Sequence, residues 1–286
     1  MSTIVSLSPS PSFWVRQLRA TYAFMERNAN LVKRYWSWEL VWLCYSIANA
    51  LSVSYIGLGM EQLGAGNETI NGRYLTLYLI VGTLVWHFLS VIFYWITDVI
   101  SIERWEGTIE YTLMAPIHRL THMAGQTLFA VLYSMLFNAV ILVVAVLLFA
   151  IDLSHADLGA GLVMLLAGSL SFIGVGIMAS VLPLLFPERG SQMTHVIIAL
   201  MLLVSGVYYP IEVLPPLLQK VAVFSPATYV LIGARAALLE GAGVAELWPI
   251  IWPVLLMGLV AIPVGLRVFA LAERYAKRTG KLHRNG

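Results

Sequence analysis

The sequence has little charge and almost no cysteine. Asp, Glu, Lys and Arg make up 11% of its 286 residues, against about 25% in soluble domains. That is too few to cover a water-facing surface, so a soluble globular domain is excluded. Intrinsic disorder is excluded as well, because it requires low hydrophobicity and high charge. The single cysteine, Cys44, rules out a disulfide framework and any cysteine-based zinc site. Seventeen Lys and Arg against fifteen Asp and Glu leave a net charge of +2, which offers nucleic acid no basic footprint. No Gly-rich loop ending in Lys and Ser/Thr is present, so the chain is expected to bind no ATP itself. His118 and His122 are four apart, but no carboxylate or cysteine completes a metal ligand set. What is abundant is apolar, 59% by the broad count, and the class this defines is an all-α, polytopic membrane protein.

A bilayer core about 30 Å thick needs roughly 20 apolar residues per helix. Six stretches qualify, at about 38–60, 73–101, 122–151, 159–185, 193–210 and 247–270, of which the fifth is the shortest. Residues 1–12 have neither a charged start nor an apolar core, so no signal peptide is expected there. Fourteen of the 17 basic residues fall on one side of the resulting map, while Arg73, Lys220 and Arg235 fall on the other. The excess marks the cytoplasmic face and places both termini there. The domain plan is a cytoplasmic N-terminus (1–37), a membrane domain (38–270) and a basic cytoplasmic tail (271–286).

Within residues 12–34, Trp14, Leu18, Met25 and Val32 lie near one helical face, with Arg16, Arg19, Arg27 and Arg34 elsewhere. This pattern predicts a helix lying in the cytoplasmic membrane interface. The stretch of about 102–117 is cytoplasmic, charged and helix-compatible until Pro116. The stretch of about 211–246 is external yet too apolar for a solvated loop. Pro249, Pro253 and Pro263 should bend the last span. Asn67-Glu68-Thr69 spells a glycosylation acceptor on the external side.

The second span carries Thr83, His87, Ser90, Tyr94, Thr97 and Ser101 at spacings of three and four, so one face is polar. Such a face must turn to other helices or to an aqueous path. Two readings fit it: interhelical hydrogen bonds, or a substrate path. The first span repeats the pattern with Trp42, Ser46, Asn49 and Ser52, and the third contributes Gln126, Tyr133, Ser134 and Asn138. Asp98, one turn after Tyr94, is either a coupling residue or an acid near the interface that is hydrated or paired with Arg104. Small residues in the fourth span, among them Gly168, Ser171 and Gly174, predict close helix packing.

Glu106, followed by Gly107-Thr108-Ile109-Glu110 and by Pro116, resembles the segment between the second and third spans of type-2 ABC exporter permeases. Ser205-Gly206-Val207-Tyr208-Tyr209-Pro210, then Leu214-Pro215-Pro216 and Ser225-Pro226-Ala227-Thr228-Tyr229, resembles that family's external segment. The resemblance implies six spans, an external re-entrant segment and a cytoplasmic coupling helix. Glu103, Arg104, Glu106, Gly107, Thr108, Glu110 and Pro116 would then dock an ATP-binding cassette ATPase, a separate chain holding ATP and Mg. It also implies a second permease subunit, identical or related. The cargo cavity would be lined by Thr83, His87, Ser90, Tyr94 and Thr97 from the second span and by Thr194, Ile198, Met201 and Ser205 from the fifth. Tyr209, Pro210, Pro215, Pro216 and Pro226 would form an external gate.

The implied function is outward transport of a drug, lipid, or lipid-linked or polysaccharide cargo across the plasma or inner membrane. An intramembrane lipid-modifying enzyme is the alternative from another class, but His87 and Asp98 stand about 16 Å apart along one helix and cannot share a site within it. A channel or secondary transporter is a third possibility, though the two halves show no inverted repeat.

Overall fold

The computed structural model describes residues 13–62, 72–114, 119–151 and 154–280. Pro116, His118 and Asn67 therefore lie outside the described residues. These residues form helices and connecting turns without a strand. In order they are α1 (Phe13–Arg34), α2 (Trp36–Gln62), α3 (Gly72–Glu106), α4 (Ile109–Met114), α5 (Arg119–Phe149) and α6 (Leu158–Ala179). Then follow α7 (Val181–Leu185), α8 (Gly190–Val204), a 3₁₀ turn (Ile211–Val213), α9 (Pro216–Ala222), α10 (Pro226–Leu239) and α11 (Val244–Arg278). Among the described residues, five helical stretches are long and apolar enough to cross a bilayer, or six if the bent pair of α9 and α10 counts as one span.

α3 is the axis of the bundle. In its most apolar stretch 67% of residues are buried, against 17% in α2 and in α5, so α2 and α5 turn apolar side chains outward as lipid-facing helices do. Phe88, Leu89, Ile92, Phe93 and Ile96 of α3 meet Met164, Phe172 and Ile177 of α6 in the main core. α6 in turn crosses α11 at very short range. A Cβ on Gly174 would stand 2.4 Å from that of Ala261, and Ser171 donates a 2.9 Å hydrogen bond to the Val254 carbonyl. The small residues of the fourth span thus set helix separation, as their spacing predicts. α11 runs unbroken for 35 residues with Pro249, Pro253 and Pro263 inside it.

The fifth apolar stretch differs most from its sequence-based limits. It was expected at 193–210, but α8 covers Gly190–Val204, 15 residues, or about 22 Å. The chain leaves the helix at Ser205 and turns at Gly206, whose φ is +71°. Beyond it, α9 and α10 form a pair bent by 79°. Pro216 and Pro226 each stand in the first turn of their helices, where a missing N–H costs nothing.

α1 turns the first part of its apolar row outward and half-buries Met25 and Val32. Trp14, Leu18 and Tyr22 are 74, 69 and 66% exposed, whereas the row facing α5 is polar. Gln17 accepts from Thr121, Asn28 donates to Gln126, and Phe24 packs edge-on against His122 at 4.7 Å.

Candidate functional site

Three places concentrate polar groups against the bundle. The first is a cavity of about 470 Å³ between α2, α3 and α8. From α3 it receives Thr83, Trp86, His87, Ser90 and Tyr94; from α2 it receives Trp42, Tyr45, Ser46 and Asn49. From α8 and the turn after it come His195, Ile198, Leu202 and Tyr208. The polar faces read separately on the first and second spans therefore meet around one space. His87 Nε2 lies 3.1 Å from Ser46 Oγ, linking α3 to α2, and the rings of Tyr94 and His195 are 5.0 Å apart, linking α3 to α8. The hydroxyls of Thr83 and Ser90 are bonded to carbonyls of their own helix, so no interhelical bond accounts for their position.

Not every predicted path residue arrives there. Thr97 is fully buried and bonds the Phe93 and Tyr94 carbonyls. Thr194 bonds the Ser191 carbonyl, Met201 packs against the core, and Ser205 lies 3.0 Å from Ser225 Oγ. Ser101 serves interhelical bonding by accepting from Ser191 Oγ at 2.9 Å. Among the wall residues that sequence reasoning missed are Tyr45, Trp86, His195, Leu202 and Tyr208. His195 could have been found, since it is the one histidine of the fifth apolar stretch. Asp98 has Tyr94 and His195, not Arg104, as its electrostatic neighbours. A second cavity, about 410 Å³, lies across α3 among α5, α6 and α10 and is apolar apart from Asn138.

The second place is the corner where α3 ends. Gly107 has φ +73°, its N–H bonds Arg104 O at 3.2 Å, and the Thr108 N–H bonds Glu103 O at 2.9 Å. This is a glycine-dependent helix stop, and it splits the expected single coupling helix in two. Glu103, Arg104 and Glu106 belong to α3, while Glu110 belongs to α4. Glu103 and Arg104 are buried. Glu103 Oε1 lies 2.9 Å from Arg27 Nη1 and 3.4 Å from His122 Nε2, so it joins α3 to α1 and α5. Arg104 attracts Glu110 across the turn. α4 buries Ile109 and Leu113, while Trp105, Tyr111 and Met114 are 80, 74 and 70% exposed.

The third place is the segment after α8. Arg235 of α10, only 9% exposed, donates to the Gly206 carbonyl at 3.0 Å and the Val207 carbonyl at 2.7 Å. Its guanidinium lies 3.4 Å from the ring centre of Tyr78 on α3. Tyr209 donates to Leu203 O at 2.7 Å, and Gln219 donates to Leu214 O at 2.8 Å. Tyr209 and Pro210 leave α8, Pro215 and Pro216 open α9, and Pro226 opens α10.

Helices of membrane-spanning length, a cavity bearing polar side chains between α2, α3 and α8, and a bent α9–α10 pair fit a membrane permease. The sequence profile of the ABC-2 type transporter matches residues 19–239, and the chain belongs to that family. It is accordingly the permease subunit of an ABC transporter, the membrane transport component of assemblies that include an ATP-binding cassette subunit. No curated protein matches the chain.

Proposed function

We propose that this permease is an exporter unit that works as one half of a dimer, with an identical or related second permease. Separate ATPase chains holding ATP and Mg drive it. The basic excess at one end supports cytoplasmic termini and a plasma or inner membrane. In this reading the cavity between α2, α3 and α8 is the cargo site, with Thr83, His87, Ser90, Tyr94 and Ile198 on its wall. The segment holding Tyr209, Pro210, Pro215, Pro216 and Pro226 closes its outer end. The cargo is a drug, a lipid, or a lipid-linked or polysaccharide chain, moved outward by alternating access.

One observation carries the reading. α3 is a single rod whose middle lines the cavity and whose end, about 18 Å beyond Tyr94, turns at Gly107 into a short helix with Tyr111 and Met114 exposed. Large apolar side chains beside Glu106 suit a groove on a soluble partner, and force applied there reaches the cavity wall through an unbroken helix. Glu103 and Arg104 take a supporting part, bracing the corner against α1 and α5.

Glu106→Lys combined with Tyr111→Arg tests the docking face. Both residues are exposed, so yield and thermal midpoint of the permease should be unchanged while the co-purified ATPase falls about tenfold or more. Retention of the ATPase with normal turnover would remove this face from the docking site.

A further inference from the structure

The cavity wall has a chemical bias beyond its polarity. π faces come to it from two helices and a turn: Trp42 and Tyr45 of α2, Trp86 and Tyr94 of α3, and Tyr208 of the turn after α8. Among the described residues no Lys, Arg, Asp or Glu lines it. The nearest acid along α3 is Asp98, one turn past Tyr94 and half-buried, with Tyr94 and His195 as its electrostatic neighbours. An anion entering this space would shed its water and meet no counter-charge, which is costly. A cation whose charge is spread over apolar groups sheds little water, finds aromatic faces to rest on, and approaches a carboxylate. About 470 Å³ is the size of a small-molecule site.

We propose that this cavity selects lipophilic organic cations and rejects anionic amphiphiles of the same shape. The proposal deepens the cargo-site reading above and rests on it. Trp42 of α2 and Tyr94 of α3 supply aromatic wall to the cavity, and Asp98 supplies the charge bias.

The test is equilibrium dialysis with the full chain in an uncharged detergent at pH 8, where an ordinary imidazole is neutral. The probes are tetraphenylphosphonium and tetraphenylborate, which share shape and differ in sign. Tetraphenylphosphonium should bind saturably, and tetraphenylborate at least about tenfold more weakly. Trp42→Leu combined with Tyr94→Leu should weaken the cation about tenfold, and Asp98→Asn should weaken it several-fold. The elution profile and thermal midpoint of the double variant should match those of the unaltered chain, and Tyr94→Phe, which keeps the aromatic face, should bind the cation more tightly than the double variant does. Equal or tighter tetraphenylborate binding, the absence of a saturable cation site, or cation binding unchanged in the double variant would each overturn the proposal. ATPase co-purification is measured on the same preparations. Intact association without charge selectivity sinks this proposal alone, whereas charge selectivity without any associated ATPase sinks the docking reading and leaves this one standing.

Discussion

Arg235 shows how much one side chain can carry. By position it counts as one of three basic residues on the side of the sequence-based map poorer in Lys and Arg, yet it is 9% exposed. Its two donors satisfy the Gly206 and Val207 carbonyls just past the end of α8, and its flat face lies on Tyr78. A planar fork matches that pair of acceptors as an ammonium cannot. Arg235→Met should leave both carbonyls without these donors and cost on the order of 2–4 kcal/mol, seen as a lower unfolding midpoint in mild detergent. Arg235→Lys should recover only part of it. A wild-type midpoint for the Met variant would show that the bracket contributes nothing to stability. The charge count could not reveal this role, because it registers sign and side, not what a guanidinium touches.

At the scale of the element, α1 and the α3–α4 corner show where helical periodicity stops being informative. Of the apolar row read on α1, Trp14 and Leu18 are exposed, as suits a helix lying at a lipid interface, while Met25 and Val32 are half-buried. The row that fixes it to α5 is polar, and nothing in a local pattern says that Asn28 and Gln126 will meet. Both are buried. Asn28→Leu or Gln126→Leu alone should leave its partner unsatisfied and destabilise by about 1–3 kcal/mol. The double variant should lose less than the sum, with a coupling of about 1–2 kcal/mol in a double-mutant cycle. Strict additivity in unfolding midpoints would show that the pair does not interact. At the corner, the acidic cluster was visible in the sequence, but Gly107 leaves Glu103 and Glu106 on α3 and Glu110 on α4, and on α3 itself Glu103 is a buried tie while Glu106 is exposed.

For the whole molecule, the bundle is asymmetric along α3: α1, α4 and the Glu103 cluster gather where it ends, and the bent α9–α10 pair where it begins. In the proposed orientation, which follows the basic excess, the first of these is cytoplasmic. Because Cys44 is the only cysteine, a Cys44→Ser background allows a clean topology test. Val213→Cys, at a position 72% exposed, should react with an impermeant maleimide on intact cells. Glu106→Cys should react only after permeabilisation. The reverse pattern would invert the proposed orientation and, with it, the side on which an ATPase could dock.

The sequence by itself determined the class, the approximate positions of the apolar stretches, the polar row on α3 and the family, because each depends on short-range composition or on motifs read in order. Tertiary structure decided what those rows face. Ser46, His87 and His195 meet around one cavity although 41 residues separate the first pair, and rotation of each helix about its axis is set by neighbours distant in sequence. The short α8 likewise reflects packing. Hydropathy continues past Val204, but the turn at Gly206 and the buried Arg235 draw the chain out of the helix.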